Sequence, residues 1–139
     1  MSLLNIPGYN STFKNRTSER GGGVALFVRN CFKFTVRDDL SAFNNDYFES
    51  IFIVLTNITL GNRIIGAVYR PPGYSPGLFM IGFVTVLSAI SKTRTECLIA
   101  GDFNVDLLKY DENVDTADFI NNLYEHLFIP LISRPTRLI

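Results

Sequence analysis

An apolar run in the last third of the sequence ends in two polar residues whose types can do chemistry. The segment is LIAGDFNVD, residues 98–106, and it places Asp102 and Asn104 two positions apart directly after a glycine. Residues two apart in an extended chain point to the same side. A carboxylate there can orient a water molecule or a metal ion, and an amide can donate a hydrogen bond to a phosphoryl oxygen.

A tyrosine joins this pair if the strands on either side of a predicted helix are parallel. Residues 63–70 and 96–101 read as strands, and residues 76–92 between them carry apolar side chains at helical spacing. A strand–helix–strand crossover makes its two strands parallel, so both strands end at the same edge of the sheet. Tyr69 stands at the end of the first strand. We therefore expect Tyr69, Asp102 and Asn104 to line one cleft.

The same residues also have an ordinary structural interpretation. Asp102 can simply begin an Asx-turn, and Tyr69 can be a half-buried aromatic residue of the core. The spacing alone does not decide between the two interpretations. The single histidine, His126, falls late in a predicted helix, where histidine commonly stabilises the negative helix end. A role for His126 as a proton shuttle in the cleft is the less favoured alternative.

The elements that must position these residues alternate between strands and helices. The sequence predicts a buried strand at 24–28 and two further strands at 48–55 and 63–70, joined as a hairpin by the turn Leu60-Gly61-Asn62. Residues 1–22 are expected to be polar turns and residues 36–45 a loop. The glycines at 21–23 favour close packing beside a strand over a phosphate-binding loop.

Two helices are predicted from capping residues and apolar spacing. Ser75 followed by Pro76 is typical of a helix start, and that helix should end near Thr93. Its expected apolar face consists of Phe79, Phe83, Val84, Leu87 and Ile90. Asp115 is expected to cap the second helix, whose apolar face should consist of Phe119, Ile120, Leu123 and Leu127.

The composition sets limits on the class of protein. The chain has 139 residues, 47% of them hydrophobic, and a formal net charge of zero, which indicates one globular domain without a global basic field for nucleic acid. Cys31 and Cys97 lie far apart without metal-ligand spacing, so we expect simple buried thiols in a reducing compartment. Residues 1–7 show no pattern of a signal peptide or a membrane span.

Several motifs in a fixed order resemble a known superfamily. They are RGGGVALFV, FESIFIVL, IIGAVYRPPG, LIAGDFNVDLL and LISRPTR, and together they extend over most of the chain. They are similar to the endonuclease/exonuclease/phosphatase superfamily, with the closest resemblance to endonuclease domains of non-long-terminal-repeat retrotransposons. The resemblance implies an α/β fold: a partial two-sheet sandwich, with a mixed sheet and flanking helices.

The resemblance also implies an activity and roles for individual residues. The family cleaves phosphodiesters with a divalent metal, usually magnesium, which manganese can replace. Tyr69 matches the active-site tyrosine of the family, Asp102 the aspartate that activates the attacking water, and Asn104 the asparagine that binds the scissile phosphate. Tyr69 also contributes to phosphate binding by this match. Arg70 and Pro71 belong to the motif without an assigned catalytic role.

The match departs from the family at both ends. The upstream asparagine and the metal-binding glutamate of the family would precede Met1, and the closing Asp-His pair would follow Ile139. Glu49 does not replace that glutamate, because it matches a non-catalytic glutamate, and His126 matches a helix. We therefore expect residues 1–139 to form a single incomplete domain that binds metal poorly and has little activity alone.

The favoured hypothesis is a fragment of a retrotransposon endonuclease that nicks target DNA. Its implied partners are DNA and a reverse transcriptase domain in the parent polypeptide, with no membrane, and its implied location is intracellular and nuclear. One alternative is another phosphoesterase of the superfamily, either an abasic-site nuclease or a phosphatase of small molecules. The other is a degenerate fragment that serves only as a binding or structural module.

Overall fold

The computed structural model describes residues 4–14, 23–41, 48–57, 59–134 and 136. Within these residues the elements follow in the order β1 (Tyr9–Lys14), β2 (Val24–Arg29), β3 (Lys33–Val36), α1 (Asp38–Ser41), β4 (Glu49–Asn57), β5 (Gly61–Tyr69), α2 (Pro76–Thr93), β6 (Cys97–Asp102) and α3 (Val114–Glu125). A short 3-10 helix, Leu107–Lys109, lies between β6 and α3.

The strands form two sheets. One sheet has four strands in the order β3-β4-β5-β6, and the other consists of β1 and β2. The pairs β3–β4 and β4–β5 are antiparallel, whereas β5 and β6 are parallel on either side of α2. The predicted hairpin and the predicted crossover are both present, because alternation of apolar residues, a glycine turn and a capped helix are local signals.

Each face of the four-stranded sheet is covered by a different layer. Alternate residues of β4 and β5, among them Phe52, Ile64 and Val68, pack against α2 and α3 in an aromatic core. The residues between them, such as Ile51 and Ile53, pack against Val28 of β2 in a smaller core between the two sheets. The architecture is thus a mixed α/β fold with two sheets and flanking helices, as the sequence predicts.

Helix α2 has the start and end that its sequence predicts, and its buried face differs from the predicted one by a single residue. The hydroxyl of Ser75 accepts a hydrogen bond from the Leu78 amide at 3.4 Å, and Arg94 ends the helix in the left-handed region with φ 54°. The buried side chains are Phe79, Phe83, Val86, Leu87 and Ile90, so Val86 takes the place expected for the half-buried Val84. By length and mean hydropathy α2 also meets the criterion for a membrane span, and its face in the core accounts for part of this apolar character.

Several expectations for the first third of the chain are wrong. Residues 9–14 form β1, although turns were expected, because Tyr9 to Lys14 pairs residue by residue with β2. The expected loop at 36–45 contains α1, and Arg37, the residue before this helix, donates to the Asp39 carboxylate at 2.8 Å. The strand β2 is only partly buried, since it lies in the smaller outer sheet. Cys31 is exposed in the turn after β2, and Cys97 is half-buried.

The second helix differs from its prediction at both ends. Helix α3 begins at Val114 and is capped by Asn113, whose side-chain oxygen accepts the Thr116 amide at 3.1 Å, so Asp115 lies inside the first turn. The helix ends at Glu125, and Leu127 adopts φ 63° with 89% of its surface exposed. Phe119, Ile120 and the half-buried Leu123 thus form the packing face without Leu127.

Candidate active site

The structure brings Tyr69 and Asp102 side by side at the carboxyl ends of β5 and β6. The two residues are register partners in the parallel ladder, and the amide of Arg70 extends this ladder by donating to the Asp102 carbonyl at 2.9 Å. Glu49 is the register partner of Tyr69 on its other side. Since directly paired residues point to the same face of a sheet, these three side chains form a row on the face toward β1 and β2.

Gly101 allows β6 to approach β5 closely enough for this alignment. A Cβ atom at position 101 would stand 1.7 Å from the backbone carbonyl oxygen of Val68, a contact that cannot be relieved by turning a side chain. The glycine of the GDFN segment therefore has a mechanical function: it sets the separation of the two strands one residue before Asp102.

Asn104 occupies the site in a different way from the one its spacing suggests. Its φ of 50° places it in the left-handed region, so the chain after Asp102 turns and is not extended. Its backbone N–H donates to Oδ1 of Asp102 at 3.0 Å, which is the Asx-turn of the ordinary interpretation. Its Nδ2 donates to the Arg70 carbonyl at 2.6 Å. The turn fixes Asn104 against Asp102, an arrangement that is compatible with a functional site as well as with the ordinary interpretation.

Arg70 is the residue of this region to which the sequence assigned no function. Its guanidinium donates to three backbone carbonyls: Phe103 at 2.8 Å, Tyr74 at 2.7 Å and Asn104 at 2.6 Å. Burial lowers the pKa of Arg70, and the negative charges of Asp102 and Asp115 oppose that shift. The sequence signal was its position, because Arg70 stands between an apolar strand and two prolines. This position alone does not predict burial, since an arginine at the end of a strand can also extend into solvent.

An aromatic cluster supports the loop that follows β6. The ring of Phe103 lies 5.4 Å from Phe119, 5.7 Å from Phe83 and 6.4 Å from Phe79, measured between ring centroids. Pairs at these separations stabilise by about 0.5–1.5 kcal/mol beyond the area they bury. Phe103 is therefore anchored in the main core. The polar side chains before and after it are thereby held at the edge of the sheet formed by the carboxyl ends of β5 and β6, which we call the rim.

Glu49 and His126 are the other titratable residues that the sequence analysis considered for a role in the site. Glu49 is 8% exposed, and its Oε2 accepts the Gly23 amide at 2.8 Å, so it ties the start of β2 to the rim beside Tyr69. His126 caps α3, and its Nδ1 lies 2.8 Å from the Asn122 carbonyl. This contact matches the favoured interpretation of His126 as a residue of the helix end.

The described residues do not make a complete metal site. Across 4–14, 23–41, 48–57, 59–134 and 136, no three side chains of His, Cys, Asp or Glu lie together as ligands for an ion. Asp102 and Glu49 lie on strands separated by β5, which puts their backbones about 10 Å apart. A divalent ion needs several well-placed oxygens. The residues present thus do not fit a magnesium site by themselves.

The terminal motifs RGGGVALFV and LISRPTR include Arg20, Gly21, Gly22, Pro135 and Arg137, which lie outside the described residues. The remainder of each motif is described. VALFV is part of β2, FESIFIVL is mainly β4, and the Tyr-Arg-Pro-Pro and Gly-Asp-Phe-Asn segments meet at the rim described above.

The sequence and the fold are similar to those of known proteins. Residues 2–119 match the Endonuclease/Exonuclease/phosphatase family. The fold is similar to a solved structure, the endonuclease domain of TRAS1, a telomere-specific non-LTR retrotransposon, with a TM-score of 0.64 and 8% sequence identity; the match covers 91% of this chain and 58% of that one. No curated protein matches the chain. The family match extends over most of the sequence and includes every residue of the rim, and the chain belongs to the Endonuclease/Exonuclease/phosphatase family.

Proposed function

We propose that this chain is part of a metal-dependent endonuclease domain that nicks DNA, as the endonuclease of a retrotransposon does at its target. The observation that carries the proposal is the pairing of Tyr69 with Asp102, with Asn104 bonded to the Asp102 carboxylate at 3.0 Å. Family membership and the fold shared with a retrotransposon endonuclease domain support it. DNA is the proposed substrate, a reverse transcriptase domain the proposed neighbour in the parent polypeptide, and the nucleus the proposed location.

The three rim residues have the chemistry that phosphodiester hydrolysis requires. Asp102 is exposed, and only its Oδ1 accepts the Asn104 amide, so its Oδ2 can take the proton of an attacking water. As the water oxygen bonds to phosphorus, the bond from phosphorus to the leaving oxygen breaks. The phenol of Tyr69 donates to a phosphoryl oxygen. The side-chain amide of Asn104 uses one N–H on the Arg70 carbonyl, and its other N–H is assigned to the same phosphoryl group.

The metal of the proposed domain requires residues other than those described. The family generally depends on a divalent metal, and this chain spans 58% of the length of the TRAS1 domain it resembles. We propose that further ligands and a general acid come from flanking sequence, so that residues 1–139 alone bind magnesium or manganese weakly and nick DNA negligibly.

Nicking of supercoiled plasmid tests the proposal directly. Residues 1–139 and the same chain extended at both ends by its own flanking coding sequence are incubated with plasmid at low salt, with magnesium, manganese or EDTA. Low salt is needed because binding to phosphates weakens steeply with ionic strength. The extended chain should nick with either metal and stop in EDTA, whereas the 139-residue chain should not nick.

Two further substrates separate the alternatives within the superfamily. A plasmid that contains abasic sites tests for an abasic-site nuclease, and a small phosphomonoester tests for a phosphatase. Hydrolysis of either one in preference to intact plasmid contradicts target nicking. An extended chain that is folded and inactive on all three substrates contradicts an enzymatic function altogether.

A further inference from the structure

Arg70, the residue that follows β5, directs its whole guanidinium at the protein backbone. The residue is 5% exposed, and its three hydrogen bonds all go to backbone carbonyls, of Tyr74, Phe103 and Asn104. Tyr74 follows the two prolines after β5, and the other two follow β6. A single side chain thus joins the two loops that leave the rim.

Only a guanidinium can make this set of contacts. Arginine presents five N–H groups in a rigid planar fork, whereas the ammonium of lysine is a compact charge on a flexible stem. The fork also stacks over the ring of Phe79, with the guanidinium carbon 5.8 Å from the ring centroid. Phe79 belongs to the core under α2, so the position of the guanidinium is set by the core and by three separate carbonyls at once.

Asn104 is held by Arg70 from two directions. The Arg70 side chain donates to the Asn104 carbonyl at 2.6 Å, and the Asn104 side chain donates to the Arg70 carbonyl at 2.6 Å. This reciprocal pair holds Asn104 at φ 50°, a conformation that costs free energy for any residue with a Cβ. In that conformation the backbone N–H of Asn104 points to the Asp102 carboxylate and donates to it at 3.0 Å.

From these contacts we propose that Arg70 is a positioning residue of the site, which fixes Asn104 and, through it, the Asp102 carboxylate without touching the substrate. This inference rests on the function proposed above, since it gives Arg70 a part in the same reaction. The guanidinium is nearly inaccessible and already directed at the main chain, so a direct contact with a DNA phosphate is a different prediction, which kinetics can separate from this one.

The test compares Arg70→Lys with Arg63→Lys, a matched change at the opposite end of the same strand. Arg63 bonds Glu96 at 2.6 Å with 38% of its side chain exposed. In the extended chain, Arg70→Lys should lower the kcat of nicking about 100-fold, with KM for plasmid within about threefold, because it misplaces a reacting group. A loss confined to KM assigns Arg70 to substrate binding and overturns the proposal.

Amide hydrogen exchange of the 139-residue chain tests the same claim without activity. The Asn104 amide should exchange at least about tenfold faster in Arg70→Lys than in Arg63→Lys, because local opening of the turn becomes easier. Equal exchange overturns the proposal. An extended wild-type chain that does not nick counts against the proposed function alone, and Asn104 exchange then still decides whether Arg70 positions the turn.

A second variant serves if Arg70→Lys does not fold. Asn104→Gly keeps the left-handed backbone at no steric cost but removes the bond to the Arg70 carbonyl. The guanidinium keeps its three backbone acceptors in this variant, so the Arg70 Nε–H should stay protected from exchange with solvent. In the wild-type chain the same Nε–H should exchange much more slowly than that of the exposed Arg94. Equal rates for the two arginines, or loss of Arg70 protection in Asn104→Gly, overturn the proposal.

Discussion

The two ends of the β5–β6 ladder use the same kinds of residues in different ways. At the far end, Arg63 and Glu96 bond each other across an open depression between residues 60–63 and 94–96. At the rim, Arg70 and Asp102 stand in the corresponding places, but each bonds backbone atoms of the loops. The far end has side chains paired on a surface. The rim has side chains that determine the course of the main chain.

This difference indicates where precision is needed. An exposed ion pair is worth about 0–1 kcal/mol, and its two long side chains remain free to separate. If a buried cation that satisfies three carbonyls is displaced, those carbonyls lose their hydrogen-bond donor. Each carbonyl that stays buried without a donor destabilises the fold by about 1–3 kcal/mol. The rim is therefore built to hold one geometry, and the far end is not.

The largest contrast should appear when a carboxylate is neutralised at each end of β6. In the extended chain, Asp102→Asn should lower the nicking rate about 10²–10⁴-fold, the usual contribution of a general base. Glu96→Gln should stay within about twofold, because its ion pair is exposed. Plasmid nicking rates measure both. Comparable losses would mean that Asp102 is not the base.

Removal of an asparagine side chain at each end should give the next largest contrast. Asn104→Ala should lower nicking on the order of 10²–10³-fold, the usual loss for one preorganised donor. Asn62→Ala changes an exposed residue near the start of β5 and should leave the rate within about twofold. Activity of Asn104→Ala close to wild type would limit the side chain to its bond with the Arg70 carbonyl.

Two glycines test the geometry of the ladder itself. Gly101→Ala should destabilise the fold by about 3 kcal/mol or more, because a Cβ would overlap the Val68 carbonyl and the backbone must move. Gly61→Ala should cost about 1–2 kcal/mol, since at φ 78° only the left-handed backbone penalises it and nothing lies within 4 Å. Urea unfolding measures both. A Gly101→Ala cost no greater than that of Gly61→Ala refutes the close approach.

A smaller effect is expected from the tyrosine hydroxyl. Tyr69→Phe should lower nicking about five- to tenfold, because one hydrogen bond of about 1 kcal/mol to the phosphoryl oxygen is lost and the ring still packs. The rate of the extended chain with magnesium measures it. A loss as large as that of Asp102→Asn would give Tyr69 a role in proton transfer.

The smallest effect belongs to the far end. Arg63→Gln should lower the free energy of unfolding by less than about 1 kcal/mol, and the difference should vanish in high salt because exposed charges are screened. Urea unfolding of the 139-residue chain at low and high salt checks this. A loss above about 2 kcal/mol would show that the two ends are equally rigid.

The sequence predicted the parts of the fold that rest on local signals. The β5–α2–β6 unit follows from alternation in Arg63 to Tyr69, from the Ser75-Pro76 start and from apolar spacing in α2, and it already implies that Tyr69 and Asp102 meet. The start of α3 was misplaced by two residues because Asn113 and Asp115 are both good caps, and only the folded chain decides between them.

The parts that could not be predicted depend on contacts between distant segments. Arg70 becomes a buried residue only when the loops after β5 and β6 fold over it, and its partners lie up to 34 residues away. β1 reads as polar because five of its six residues are exposed, and it becomes a strand only by pairing with β2. The turn at Asn104 was read as extended. Asparagine tolerates a φ near 50° better than most residues, but the bonds to Arg70 and Asp102 that select this conformation join segments far apart in the sequence or form only in the turn itself.

The crossover between β5 and β6 also affects the chain while it is being made. The β4–β5 hairpin is complete at Tyr69, but the partner strand of β5 begins only at Cys97. At about 5–20 residues per second on the ribosome, the intervening residues 70–96 take about 1–5 s to synthesise. During that interval the nascent hairpin presents an apolar, hydrogen-bonding edge with no strand to pair with it. This stage of translation is therefore the one at which the nascent chain is most exposed to wrong strand pairing, a consequence that the finished fold does not reveal.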